Sequence, residues 1–193
     1  MPLPVLLTRN ILLRPWTRED VDALHALWTE PDVRRYLWDD SAIARDTAVQ
    51  LVESHLVTAE KHCIGYWALH IPPPTSPAAP VAGFCGFRFI DDDPEIELMY
   101  GLKPEYWGKG LATEACLSAL EYLWCSTTFQ QVYARTDPPN LNSVPVMLRA
   151  CQEISRTTLR DFVLYLWSWR TTRTSSGDSV LCRPSWTSGC AVW

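Results

Sequence analysis

At 193 residues, 47% hydrophobic and 20% charged, the chain has the length and apolar content of one compact domain, and no stretch supplies the roughly 18 uninterrupted apolar residues of a membrane span. Seventeen basic residues against 22 acidic ones leave a net charge of -5, which argues against a nucleic-acid partner because gripping a phosphate backbone needs a basic surface. The seven cysteines and four histidines form neither a CxxC pair nor a close Cys/His cluster, so no metal site is expected and the cysteines read as reduced core filler.

Leu6 to Arg14 alternates apolar and polar residues and predicts a first strand stopped by Pro15. Thr17 opens a helix with an acid three residues on, and Val21, Leu24, Leu27 and Trp28 make its apolar stripe before Pro31 ends it. A short helical piece carries Val33, Tyr36 and Leu37, and a longer helix is predicted over 42–61 with Val49, Val52 and Leu56 inward. Cys63 to Ile71 reads as a strand, the proline-rich 72–80 as a stiff loop, and Val81 to Phe89 as another strand. The acidic turn at 91–94 then joins it to a strand over Glu95 to Leu102, so this pair is expected to be antiparallel.

Leu111 to Cys125 is strongly helical, with Ala112, Ala115, Ala119, Leu120 and Leu123 on one face; Gln131 to Thr136 returns as a strand, and 140–149 as a shorter helix. Strand, glycine turn, helix and strand make a right-handed crossover, so the strands at 95–102 and 131–136 are expected to be parallel. Glu153 to Leu159 and Val163 to Trp167 suggest a closing hairpin. Residues 168–193 hold ten Ser or Thr, three Trp and one acid without usable periodicity, which sets them apart as an atypical, loosely packed tail after a domain spanning 1–167. The whole reads as a mixed α+β fold.

The chemistry concentrates between Tyr100 and Ala115. Glycines between a strand and a helix start let the backbone approach a ligand, while the first helical N–H groups and the positive end of the helix dipole favour an anion such as a pyrophosphate. A nucleoside-triphosphatase loop does not fit, because Lys109 is followed by Gly110 rather than Ser or Thr. A dinucleotide fingerprint fits poorly, because Thr113 stands where the third glycine belongs.

The segment Trp107-Gly108-Lys109-Gly110-Leu111-Ala112 resembles the acetyl-CoA motif of the GCN5-related N-acetyltransferases (GNAT), and PEYWGKGLATEA resembles their ribosomal-protein (RimJ/RimL-type) group. The likeness extends to LLRPWTREDVDAL at 12–24, the Gly-Phe-Cys-Gly run at 83–86, Glu97-Leu98-Met99-Tyr100, and Asn140-Leu141-Asn142-Ser143, covering about residues 6–147. It implies a GNAT-type fold whose central mixed, mostly antiparallel sheet has splayed fourth and fifth strands, with acetyl-CoA as acetyl donor lying in the gap. It also implies direct transfer of the acetyl group to a primary amine, either a small amine or a protein N-terminus.

On that resemblance the backbone of Tyr100, Gly101 and Leu102 pairs with the pantetheine arm, and the N–H groups of Gly108, Lys109, Gly110, Leu111, Ala112 and Thr113, after the Trp107 turn, hold the pyrophosphate. Lys109 adds charge there or is a solvated turn residue, and Asn140 orients the cofactor. Glu97 is the candidate base, sharing its strand face with Glu95, and Ser143 the candidate acid for the departing thiolate; Tyr133 and Tyr165 are weaker acids. Asn140 and Ser143 also suit the start of a helix.

The chain departs from the family after Met147, where the usual Leu-Gly turn is absent, and this motivates a second reading as a catalytically weak acyl-CoA-binding or regulatory domain. A cytoplasmic monomer or homodimer, with no nucleic acid and no membrane as partner, is the remaining expectation.

Overall fold

The computed structural model of the chain describes residues 2–38, 40–71, 80–90, 94–136, 139–157, 161–166 and 179–182. Eight strands form one sheet in chain order: β1 (Leu6–Leu7), β2 (Leu12–Pro15), β3 (Tyr66–His70), β4 (Gly83–Phe89), β5 (Ile96–Leu102), β6 (Gln131–Thr136), β7 (Asp161–Leu166) and β8 (Ser179–Cys182). Only β5–β6 and β6–β7 are parallel. The mixed, mostly antiparallel sheet expected from the sequence is therefore present, with β4 and β5 antiparallel across seven registered pairs.

The single first strand expected over 6–14 is instead a hairpin. Thr8 accepts from the Ile11 N–H and donates to the Ile11 carbonyl, both at 3.0 Å, so its short polar side chain turns the chain within an otherwise alternating pattern. The expected hairpin beyond Cys151 is also revised: helix α5 runs over Ser143–Thr157, taking in 153–157 of the first proposed strand, and β7 lies parallel to β6. β8 (Ser179–Cys182) falls within the segment read as an atypical, loosely packed tail and pairs antiparallel with β7. The expected loop at 72–80 and turn at 91–94 lie almost wholly outside the described residues.

Helices cover both faces of the sheet. α1 (Val21–Thr29), α2 (Pro31–Arg34) and α3 (Arg45–His62) enclose one core with Trp16, Leu24, Trp28, Val52, Tyr66 and Phe84. Pro31 does stop α1, and it opens α2 in the first-turn position where its missing N–H costs nothing. The entry to α1 is fixed by Asp20, buried and held by both Arg14 terminal nitrogens at 2.6 and 3.0 Å and by the Thr17 N–H at 2.7 Å. Burial alone would raise that carboxyl, but these donors more than offset it and hold it below the usual carboxylate range.

On the opposite face α4 (Leu111–Ser126) and α5 pack with Leu13, Trp67, Phe87, Ile96 and Leu98 into the larger core. Of the apolar stripe read along α4, Ala115, Ala119, Leu120 and Leu123 are buried, together with Leu111, while Ala112 is only half-buried.

β5 and β6 meet at a single registered pair, Glu97 with Tyr133, and from there the register stops. This is the splay that the resemblance implied. Its closed end is fastened by Glu97, 2% exposed, whose carboxylate accepts from Arg88 on β4 at 3.0 and 3.1 Å and from Arg135 on β6 at 2.6 and 2.9 Å. Beside it the Tyr133 hydroxyl donates to Glu95.

Two stability changes follow. Glu97→Gln removes the charge that two guanidiniums share; because Arg88 is partly exposed and screened, most of the loss comes through Arg135, and unfolding in urea should show about 3 kcal/mol lower stability. A loss under about 1 kcal/mol would show that the pair is solvated.

The second concerns His55, whose imidazole is depressed to about 4, first by burial and then by the Arg88 charge. The unfolded chain binds the proton near 6.5 and the folded chain only near 4, so stability falls as pH drops across that window, by up to about 3 kcal/mol. Urea midpoints of wild type and His55→Gln from pH 7.5 to 4 should converge in acid; parallel curves would refute the assignment.

Candidate active site

The strand register fixes where the backbone of β5 can act. The Lys103 N–H donates to the Ala82 carbonyl at 2.9 Å, so Lys103, Gly101 and Met99 direct their amides toward β4. Tyr100 and Leu102, one residue out of phase, direct theirs the other way, into the gap where the described part of β6 is not in register with them. The Leu102 carbonyl is taken by the indole N–H of Trp107 at 2.7 Å, and this bond folds the following turn back over the end of the strand.

That turn is a short 3₁₀ segment, Pro104–Tyr106, followed by Gly108 and Gly110 with φ of 71° and 78°. Both glycines hold left-handed backbone that residues with a side chain adopt at a cost, and a Cβ on either would meet no atom within 4 Å. Packing does not demand glycine here; the conformation does, and the space beside it is open. Gly110 is the residue at which α4 starts, and no side chain caps this end among the described residues.

Glu114, the acid in the first turn, is engaged elsewhere, receiving the Asn10 N–H and the Asn10 side-chain amide at 2.9 Å each. Partial burial would raise its carboxyl, but the donors on Asn10 and Thr8 outweigh this and hold it low. The amides of Leu111, Ala112 and Thr113 are thus left at the positive end of a 16-residue helix. The Thr113 hydroxyl beside them is buried and has no hydrogen-bond partner among the described residues.

These groups open into one cleft of about 530 Å³. Tyr100, Gly101 and Leu102 form its floor, Trp107, Gly108, Gly110, Leu111, Ala112 and Thr113 one wall, and Asn140 and Ser143 another. Gly101 is needed for the floor's fit to β4, because a Cβ there would come within 2.7 Å of the Phe84 ring. The Tyr100 hydroxyl donates to the Ser143 carbonyl at 3.1 Å, tying the first turn of α5 to β5; burial raises this phenol well above its usual value, so it remains protonated.

Two expected site residues stand apart. Lys109 does not line the cleft: its ammonium donates to the Glu105 carbonyl at 2.8 Å and lies 5.7 Å from the centre of the Tyr106 ring. Glu97 does not line it either, since its carboxylate lies in the two-arginine clamp at the closed end of the splay.

Other lining residues went unread in the sequence. The segment after α1 contributes Asp32, Arg35, Tyr36 and Leu37, and α5 contributes Val146 and Arg149. Ser143, Val146 and Arg149 recur at intervals of three, a helical spacing that could have flagged them together. Tyr36 carried no such signal, because it is placed by a bond from its hydroxyl to the Pro139 carbonyl at 3.3 Å, 103 residues away. Among the described residues there is no cluster of metal-binding side chains, and no helix is long and apolar enough to cross a membrane.

Comparison with known proteins identifies the family. Residues 10–150 match the family model for the acetyltransferase (GNAT) domain. An uncharacterized N-acetyltransferase, p20, of Bacillus licheniformis is 27% identical over 150 residues, covering 75% of this chain and 80% of that protein. The crystal structure of an acetyltransferase from Agrobacterium tumefaciens superposes with a TM-score of 0.67 at 19% identity, covering 78% and 84% of the two chains. That of RimL, a ribosomal L7/L12 alpha-N-protein acetyltransferase in complex with coenzyme A, superposes with a TM-score of 0.62 at 15% identity, covering 76% and 81%. The chain belongs to the GNAT acetyltransferases and is an acetyltransferase enzyme.

Proposed function

We propose that this acetyltransferase moves an acetyl group from acetyl-CoA directly to a primary amine, supplied by a small molecule or a protein N-terminus. One observation carries the reading: the uncapped start of α4, the gap-facing amides of β5 and the first turn of α5 open into the same cleft. The residues fit a coenzyme. A diphosphate suits the free amides of Leu111, Ala112 and Thr113, the unpartnered Thr113 hydroxyl supplies a further donor, and Gly108 and Gly110 leave empty the volume that side chains would fill.

When bound, acetyl-CoA supplies the acetyl thioester. The Tyr100 and Leu102 amides, pointing into the gap, bind the extended arm as a missing strand would and provide the N–H that polarises the reacting carbonyl. Ser143 lies on the facing wall, where its hydroxyl can donate a proton to the leaving sulfur, and Asn140 helps orient the coenzyme at the turn before α5. Tyr100 holds Ser143 in place through the latter's carbonyl.

Glu97 serves as a positioning residue, because both of its oxygens accept from guanidiniums and it does not reach the wall. The ammonium proton of the acceptor passes instead to solvent.

Isothermal titration should give saturable binding of acetyl-CoA. Gly110→Val, which sets a branched side chain at φ 78° and projects it into the cradle, should weaken that binding at least about tenfold while lowering the thermal midpoint by only a few degrees. Unchanged affinity in the folded variant would remove the turn from the coenzyme site. Free thiol should be released from acetyl-CoA only when an amine is present, and Ser143→Ala should slow that release about tenfold or more; binding without amine-dependent release would favour the weak acyl-CoA-binding domain.

A further inference from the structure

Six arginines are committed to ion pairs among the described residues. Arg14, Arg18, Arg34, Arg45, Arg88 and Arg135 each face a carboxylate at 3.4 Å or less. Arg35 and Arg149 do not: both are exposed, both line the cleft, and neither has a carboxylate within ion-pair distance among the described residues. Asp32, the one acid in the same lining, pairs with neither. In a chain of net charge -5, two guanidiniums left open to one cleft from different elements form a local site of opposite sign.

Their placement narrows the ligand. Arg35 lies over the ring of Tyr36, 5.5 Å from its centre, and Tyr36 is in turn tied to Pro139 across the cleft's edge, so this cation stands on an anchored support. Arg149 is six residues beyond Ser143 on α5, about 9 Å along the helix axis, and so its charge falls away from the reacting end of the cleft. Lys109, the cation that the motif itself provides, is folded onto Glu105. The amides of α4 suit a diphosphate, but the coenzyme carries a third phosphate, a monoester with a charge of about -1.5 to -2 near neutrality, which those amides leave unmatched. The planar fork of a guanidinium matches such a group in two parallel hydrogen bonds.

We propose that Arg35 and Arg149 form a phosphate-monoester subsite at the mouth of the cleft that reads the ribose 3′-phosphate of coenzyme A; this rests on the coenzyme reading above.

The test is titration of coenzyme A and of 3′-dephospho-coenzyme A into the full chain and into Arg35→Ala, Arg149→Ala and Arg149→Lys, each variant first checked for an unchanged thermal midpoint. Wild type should prefer coenzyme A by about tenfold or more, with the preference shrinking as salt rises. Each alanine variant should lose affinity for coenzyme A by about five- to tenfold and keep its affinity for the dephosphorylated form within twofold, and Arg149→Lys should recover part of the preference. Equal binding of the two ligands by wild type overturns the subsite while leaving the coenzyme site intact, and that comparison requires no variant. Proportionate loss of both ligands in the variants also overturns it. Failure of wild type to bind either ligand overturns the coenzyme reading and the subsite together.

Discussion

One carboxylate joins three strands at the point where the sheet begins to open. Glu97 is buried on β5 and is gripped from β4 by Arg88 and from β6 by Arg135, at the single position where β5 and β6 are in register. A buried charge shared by two guanidiniums is costly to separate, so the strands are held firmly there and are free to diverge beyond it. The gap-facing amides of Tyr100 and Leu102 depend on this geometry, because a β6 that stayed in register would have used them.

The second constraint lies at the start of α4. Two glycines with positive φ bring the chain out of β5 and into a helix whose first turn receives no side-chain cap among the described residues, and Glu114, the acid of that turn, is held by Asn10 in the turn between β1 and β2. Donors left unpaired at the positive end of a helix favour a bound anion over water. The Trp107 indole on the Leu102 carbonyl sets this helix end against the open edge of β5, so anion site and strand gap share one cleft. Ser143 joins them because Tyr100 reaches across to its carbonyl.

Much of this was legible locally. The Gly108–Lys109–Gly110 turn, the helix after it and the strand before it are set by short-range rules, and the structure gathers eleven of the thirteen expected site residues around one cleft. The two exceptions share a physical cause. Alternation placed Glu95 and Glu97 on one face of a strand, and both do engage the β6 side, but no local pattern could show that Arg88 and Arg135 converge on Glu97 from neighbouring strands. The choice of Lys109 for a backbone carbonyl and an aromatic ring was likewise beyond a motif. An apolar–polar alternation runs straight through Thr8 because it does not register a hydroxyl that bonds three residues on. Arg35 and Tyr36 reach the cleft only through tertiary packing.

Amide hydrogen exchange with and without coenzyme A measures the central claim most directly, because it reads backbone N–H groups one at a time. If the diverging strands and the open helix end form the coenzyme site, the amides of Tyr100 and Leu102 in β5 and of Leu111, Ala112 and Thr113 in α4 should slow together on addition of the coenzyme, while those of Gly101 and Lys103, already directed toward β4, should change little. Exchange at Tyr100 and Leu102 that is already slow without ligand and unaltered by it would mean that the protein's own backbone fills the gap, and would contradict the account.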